Sequence, residues 1–184
     1  MVCTNDLIKK KNISGIIISC NDKKSDICKK NFEPLNLYPV NTMFMIPHFV
    51  IKDSTIFGDL SKILSYKIES VDSSFSMYVF IDNHEKEAQA FLDLNHIAAV
   101  QKGEVESAQN SKQLVKEVIK NIGNIKVGYL KYLVVQVNKK FYASRIFFYK
   151  GKKLVVCWLF ENYTDEAKNM YSVVDCVFDN IQIN

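Results

Sequence analysis

Three histidines, His48, His84 and His96, are the side chains best suited to acid–base or metal chemistry near neutral pH, and they are scattered along the chain. His84 lies in Asp82-Asn83-His84-Glu85, where Asp82 and His84 could share a cation. A polar turn after a strand has the same composition, and the spacing matches no zinc pattern. His48 follows Pro47 in an apolar run, the setting of a packed or edge histidine, and His96 falls on a helical stretch. Carboxylates pair at Glu85/Glu87 and Glu104/Glu106. Acid–base work needs surroundings that split two pKa values, and these stretches are hydrophilic. Gly-x-Ser-x-Gly, the phosphate loop and the dinucleotide glycine fingerprint are absent. No catalytic residue, cofactor or metal is therefore expected, and an enzyme would require His48, His84 and acidic residues to converge in one cleft.

The cysteines point elsewhere. Cys3, Cys20, Cys28, Cys157 and Cys176 form no Cys-x-x-Cys pair and no regular framework. Cys157 lies in the apolar run Leu154–Phe160 and Cys176 on a helical stripe, so both read as packed thiols. Cys20 ends a different pattern. Lys9–Lys11 form a positive patch, Ile13–Ser19 are mostly apolar, and the small Ser19 precedes Cys20, which is the order of a bacterial export signal. Ile17-Ile18-Ser19-Cys20 resembles the lipobox of bacterial lipoproteins, and the resemblance implies that Cys20 is acylated and becomes the new N-terminus. The polar run after it is similar to a lipoprotein tether. The same residues also fit a buried edge strand, Ile13–Ile18.

Charge follows this division. Seven lysines against three aspartates in residues 1–30 account for the whole net charge of +4, and the rest of the chain is balanced. A nucleic-acid-binding domain carries its positive charge on the folded surface, usually with several arginines. Arg145 is the only arginine, which disfavours that class. No apolar run approaches the ~18 residues of a spanning helix.

The elements that position these residues can be read from periodicity. Met43–Ile51 is β-prone, with Pro47 placing it at an edge or bulge. Ile56–Ile68 is ambiguous between helix and strand. Phe75–Ile81 alternates as a strand, with Phe75, Met77, Val79 and Ile81 on one face. Glu85–Ala99 turns helical. Leu114, Val115, Val118, Ile119 and Ile122 predict a second helix, capped by Asn110 with Gln113 and stopped by Gly123. Gly128–Val137, Phe141–Tyr149 and Lys153–Glu161 read as strands, the last two joined at Lys150-Gly151-Lys152. Leu154–Phe160 is apolar on both faces and should be central, with Trp158 buried. Thr164, Asp165 and Glu166 open a closing helix whose stripe is Ala167, Met170, Tyr171, Val174, Val177 and Phe178.

This succession, with Ile46-Pro47 upstream and the Ile181–Ile183 tail, resembles the PsbP/DcrB-like α/β sandwich family. The resemblance implies an α+β fold, an antiparallel β-sheet with helices packed on its faces, and a binding, chaperone or accessory role. The expected organisation is a signal segment 1–19, a polar tether 20–40 and one globular domain 41–184. The late aromatics are core if both sheet faces are covered; if one is open, Tyr132, Tyr142 and Phe148 line an apolar binding surface. The expectation is a non-enzymatic envelope protein anchored at Cys20 that binds a protein or small apolar ligand. The rival is a cytoplasmic immunity or chaperone factor without lipid.

Overall fold

The computed structural model describes residues 32–56, 63–83, 93–107, 111–164 and 172–184. The strands are β1 (Phe32–Leu37), β2 (Thr42–Pro47), β3 (Phe49–Ile56), β4 (Ile63–Ser70), β5 (Phe75–Asn83), β6 (Ser111–Ile122), β7 (Ile125–Gln136), β8 (Lys139–Lys150), β9 (Lys153–Asn162) and β10 (Gln182–Ile183). Helix α1 (Leu94–Ser107) lies between β5 and β6, and α2 (Val173–Asp179) between β9 and β10. The large sheet runs β3-β4-β5-β9-β8-β7-β6 and the small one β1-β2-β10, every pairing antiparallel. This is an α+β sandwich with a helix on each face of the large sheet.

Chain order explains the central strand. The first meander stops at β5, α1 carries the chain to the far edge, and β6 to β9 then fill inward until β9 pairs with β5. The expected alternation of β5 holds: Phe75, Met77, Val79 and Ile81 are all buried. They meet Val155, Cys157 and Leu159 of β9 and Tyr129 of β7 in the main core, closed by α2 and by Leu35, Leu37, Phe44 and Ile46 of the small sheet. Tyr129 stacks on Phe178, with ring centroids 4.4 Å apart.

Helix α2 is seated by a buried ionic network. Glu161 accepts the backbone N–H groups of Val173 (2.9 Å) and Val174 (3.3 Å), and Ser172 accepts that of Asp175. These satisfy donors that a helix N-terminus leaves unpaired. Lys131, only 4% exposed, donates to Asp175 Oδ2 at 2.6 Å and to Ser172 Oγ. Tyr129 Oη and Lys116 Nζ donate to Asp175 Oδ1 at 3.2 and 3.0 Å. At the other end, Lys120 donates to the Phe178 carbonyl at 3.0 Å, where a cation complements the helix dipole.

Those lysines correct one expectation. Residues 111–122 form edge strand β6 and not a helix. A register shift between Leu114 and Lys116 inserts Val115 as a bulge, so the apolar spacing imitates a helical stripe. Below the bulge, Lys116, Val118, Lys120 and Ile122 share the face towards α2. Gly123, with φ +57°, turns the chain directly into β7 and stops no helix.

Other differences are smaller. The fold begins before residue 41: β1 pairs with β2 along its whole length, so 32–40 are structure and not tether. Pro47 ends β2, where the chain leaves the small sheet for the large one. Helix α1 runs on to Ser107, and Asp93 caps its start by accepting the N–H of Asn95 at 2.9 Å. Of the closing helix, Val174, Val177 and Phe178 are buried as expected and Ser172 is the cap of the described part. Asp165, Glu166, Ala167, Met170 and Tyr171 lie outside the described residues.

Two measurements test this account. A Cβ on Gly128 would lie 2.2 Å from the ring of Phe147, which is packed beneath α1. Gly128→Ala should cost about 1–3 kcal/mol in denaturant melts, with Phe147→Leu recovering part of it; an unchanged midpoint would refute the packing. Burial alone would raise the Asp175 carboxyl, but Lys131 and Lys116 overcome it and hold it below its usual value. Its stabilisation is therefore present above the ordinary carboxylate range and lost as pH falls through the lowered value. Asp175→Asn should lower stability at pH 7 and flatten this acid limb, and parallel pH profiles for variant and parent would count against it.

Candidate functional site

Tyr132, Tyr142 and Phe148 do not form a surface. They are 1%, 4% and 0% exposed, and they are divided between the two faces of the sheet. Phe148 fills the main core, and Tyr142 shares its face, with the Lys131 ammonium 4.2 Å from its ring centroid. Tyr132 points the other way, under α1, and donates to Glu106 at 3.5 Å. Burial, with Glu106 adding to it, pushes its phenol up to about 12.

The histidines do not assemble a described cleft. His48 is exposed and pairs with Glu33 at 2.9 Å beside the small sheet; His96 is exposed on α1; His84 lies outside the described residues. Glu104 and Glu106 are exposed on α1, as their hydrophilic setting suggests. Among the described residues no three His, Cys, Asp or Glu side chains could hold a metal ion. Lys131, Ser172 and Asp175 have the residue types of a serine–lysine hydrolase. Ser172 is 0% exposed and its hydroxyl caps α2, so the group anchors a helix. Cys20 lies outside the described residues.

The half-covered face is the one opposite the main core. Helix α1 roofs it over β7 and β8, where Ala98 and Val105 pack on Leu130, Tyr132, Val134 and Ala143. Along β9 the cover thins: Leu154 and Val156 are buried, but Trp158 and Phe160 only partly so. The expectation of a buried Trp158 is thus half met. Direct cross-strand partners then form one row over six strands: Glu117, Leu130, Arg145, Trp158, Tyr78 and Lys67. The Arg145 guanidinium stands 4.6 Å from the Trp158 ring and 5.7 Å from that of Phe160. Tyr78 meets Phe160 edge to face at 6.0 Å, and Phe80 meets Trp158 at 4.9 Å.

Beside this row, where β5 begins and β9 ends, a groove of about 390 Å³ opens. Tyr78, Phe141 and Phe160 form its aromatic wall, and Glu69, Ser74, Ser76, Lys139 and Asn162 its polar rim. Eight of its twelve lining residues are polar, so the aromatic rings form one wall of a mainly polar groove. The alternating pattern of β8 and β9 carried the signal for these residues. It did not say which parity faces the core, and Phe141 and Tyr142 therefore exchange roles.

Similarity to known proteins supports the fold. No family model and no curated protein sequence matches the chain. Cyanobacterial PsbP (CyanoP) from Synechocystis sp. PCC 6803 superposes with a TM-score of 0.57 at 12% identity, covering 90% of this chain and 98% of its own. The Ran-binding protein Mog1p of Saccharomyces cerevisiae is similar at a TM-score of 0.48 and 12% identity, covering 84% and 96%. LpqN of Mycobacterium tuberculosis, involved in cell envelope biogenesis, gives 0.48 and 9%, covering 84% and 91%. The chain has a PsbP-like α+β fold.

The two buried thiols offer a direct check on this packing. Cys157 and Cys176 are both buried, and burial pushes the Cys157 thiol well above its usual value. Iodoacetamide should leave both unmodified in the native protein and label both after denaturation, by peptide mass spectrometry. Rapid native labelling of Cys157 would contradict its placement.

Proposed function

We propose that this protein is a non-enzymatic binding protein of the bacterial cell envelope. It is tethered by a lipid on Cys20 and uses the Tyr78–Phe141–Phe160 groove to hold a partner protein or small ligand. The observation that carries the reading is the groove itself, where three half-buried aromatic rings form a wall beside a polar rim. Isolated exposed apolar residues are common, but aromatic side chains gathered in one concave place mark binding sites. The PsbP-like fold supports an accessory role by analogy only. The order of charged, apolar and small residues before Cys20 supports the envelope. Among the described residues no helix is long and apolar enough to cross a membrane, so a lipid is the anchor this reading requires.

Two experiments test it separately. Growth with a labelled fatty acid should mark the wild-type protein and not Cys20→Ala. An unlabelled wild type that retains Met1 by mass spectrometry would favour the cytoplasmic factor. For the groove, Tyr78→Ser with Phe141→Ser should reduce capture of a partner from native cells at least tenfold while the fold still melts cooperatively. Undiminished capture by the folded double variant would sink the groove as the site.

A further inference from the structure

Arg145 is the one arginine of the chain, and it is only 8% exposed on the face that carries the groove. A guanidinium has five N–H donors and keeps its charge in proteins. A buried charge without a counter-ion is costly. Among the described residues Arg145 makes no ion pair. Its hydrogen bond runs from Nη1 to the Ser144 carbonyl at 3.1 Å, and its buried Nε has no partner. The neighbouring Trp158, stacked against it, has a buried indole Nε1 that is also without a partner. Two unsatisfied donors, one cationic, thus sit side by side against aromatic rings. Buried polar groups in folded proteins are nearly always paired, so two adjacent orphans of one sign need a reason.

Nearby acids do not supply it. Glu104 on α1 acts on Arg145 only through space and is exposed. Burial outweighs it and lowers the guanidinium to about 10, so the cation persists at neutral pH but is under-compensated. Phe160 links the two features: its ring lies beside Arg145 and also walls the groove. Two acids line the groove: Glu69 on its rim, two strands from Phe160 across Ser76, and the buried Glu161, held by the N–H groups of Val173 and Val174.

We propose that the Arg145–Trp158 pair, which adjoins the groove across Phe160, recognises an anion, and that the ligand carries a carboxylate on an apolar or aromatic body. The carboxylate accepts from Arg145 and from the Trp158 indole, and the body rests on Phe160 and Tyr78. A carboxylate matches the planar donor fork, whereas a neutral ligand leaves both donors unpaired. This rests on the groove reading and names its ligand class.

Trp158 is the sole tryptophan, so its fluorescence reports the site directly. The full chain would be titrated with benzoate and, in parallel, with benzamide, which has nearly the same shape and no charge. Benzoate should give a saturable change, at least tenfold tighter than benzamide and weaker at high salt. Arg145→Met should lose the preference while melting at or above the parental temperature, since it removes an unpaired buried charge. Glu104→Gln, an exposed change, should tighten benzoate binding about twofold by removing a repelling charge. Equal affinity for both probes would overturn the anion site and leave the groove reading standing. Benzoate binding that survives Arg145→Met would also overturn it, as would no binding of benzoate to the wild type. The partner-capture experiment with Tyr78 and Phe141 decides the groove independently.

Discussion

The Lys131–Asp175 ion pair holds the small layers of this protein to its large sheet. It lies beneath α2, where the carboxylate receives Lys131, Lys116 and Tyr129 while Ser172 and Glu161 close the helix N-terminus. A helix of seven residues has little stability of its own, and its position depends on tertiary anchoring. Lysines from β6 and β7 provide that anchoring, so the edge strand and the helix determine each other. With α2 seated, Val174, Val177 and Phe178 can complete the core formed by the inner faces of β5, β7, β8 and β9.

The opposite face has a looser cover. One helix, α1, spans β7 and β8 and is tied to β6 by Lys102 and Glu117 at 2.6 Å. Over β9 and β5 the aromatic side chains are only half buried. The inequality between the two faces is therefore architectural. Among the described residues the inner face has a helix and a second sheet against it, whereas on the outer face α1 packs over β7 and β8. Arg145 stands at this boundary, roofed on one side and stacked on Trp158 on the other.

A buried network and a half-covered row thus divide the polar groups between two tasks. Around Asp175 the charges find partners and rigidify the fold, as satisfied networks do. Around Arg145, its Nε and the neighbouring Trp158 Nε1 do not. Neighbouring residues of one strand face opposite ways: Ser144 shares the inner face with Tyr129, and Arg145 looks outward.

Much of this organisation was legible in the residues alone. Alternation placed β5 correctly side chain by side chain, the glycine turn set the β8–β9 hairpin, and two-sided apolarity made β9 central. These are local consequences of backbone geometry and of the strand period of two. What failed needed partners distant in sequence. The bulge at Val115 gave β6 a helical spacing, and only its pairing with β7 and the docking of Lys116 and Lys120 onto α2 reveal a strand. The aromatic surface was sought at Tyr132, Tyr142 and Phe148 and found at Tyr78, Phe141 and Phe160, because alternation is blind to which face a helix will cover. The residues alone specified β5, β7, β8 and β9 and the β8–β9 turn. Tertiary structure decided which parity is core, where the roof ends and which charges are left unpaired, because burial is a property of what packs on a face and not of the strand that carries it.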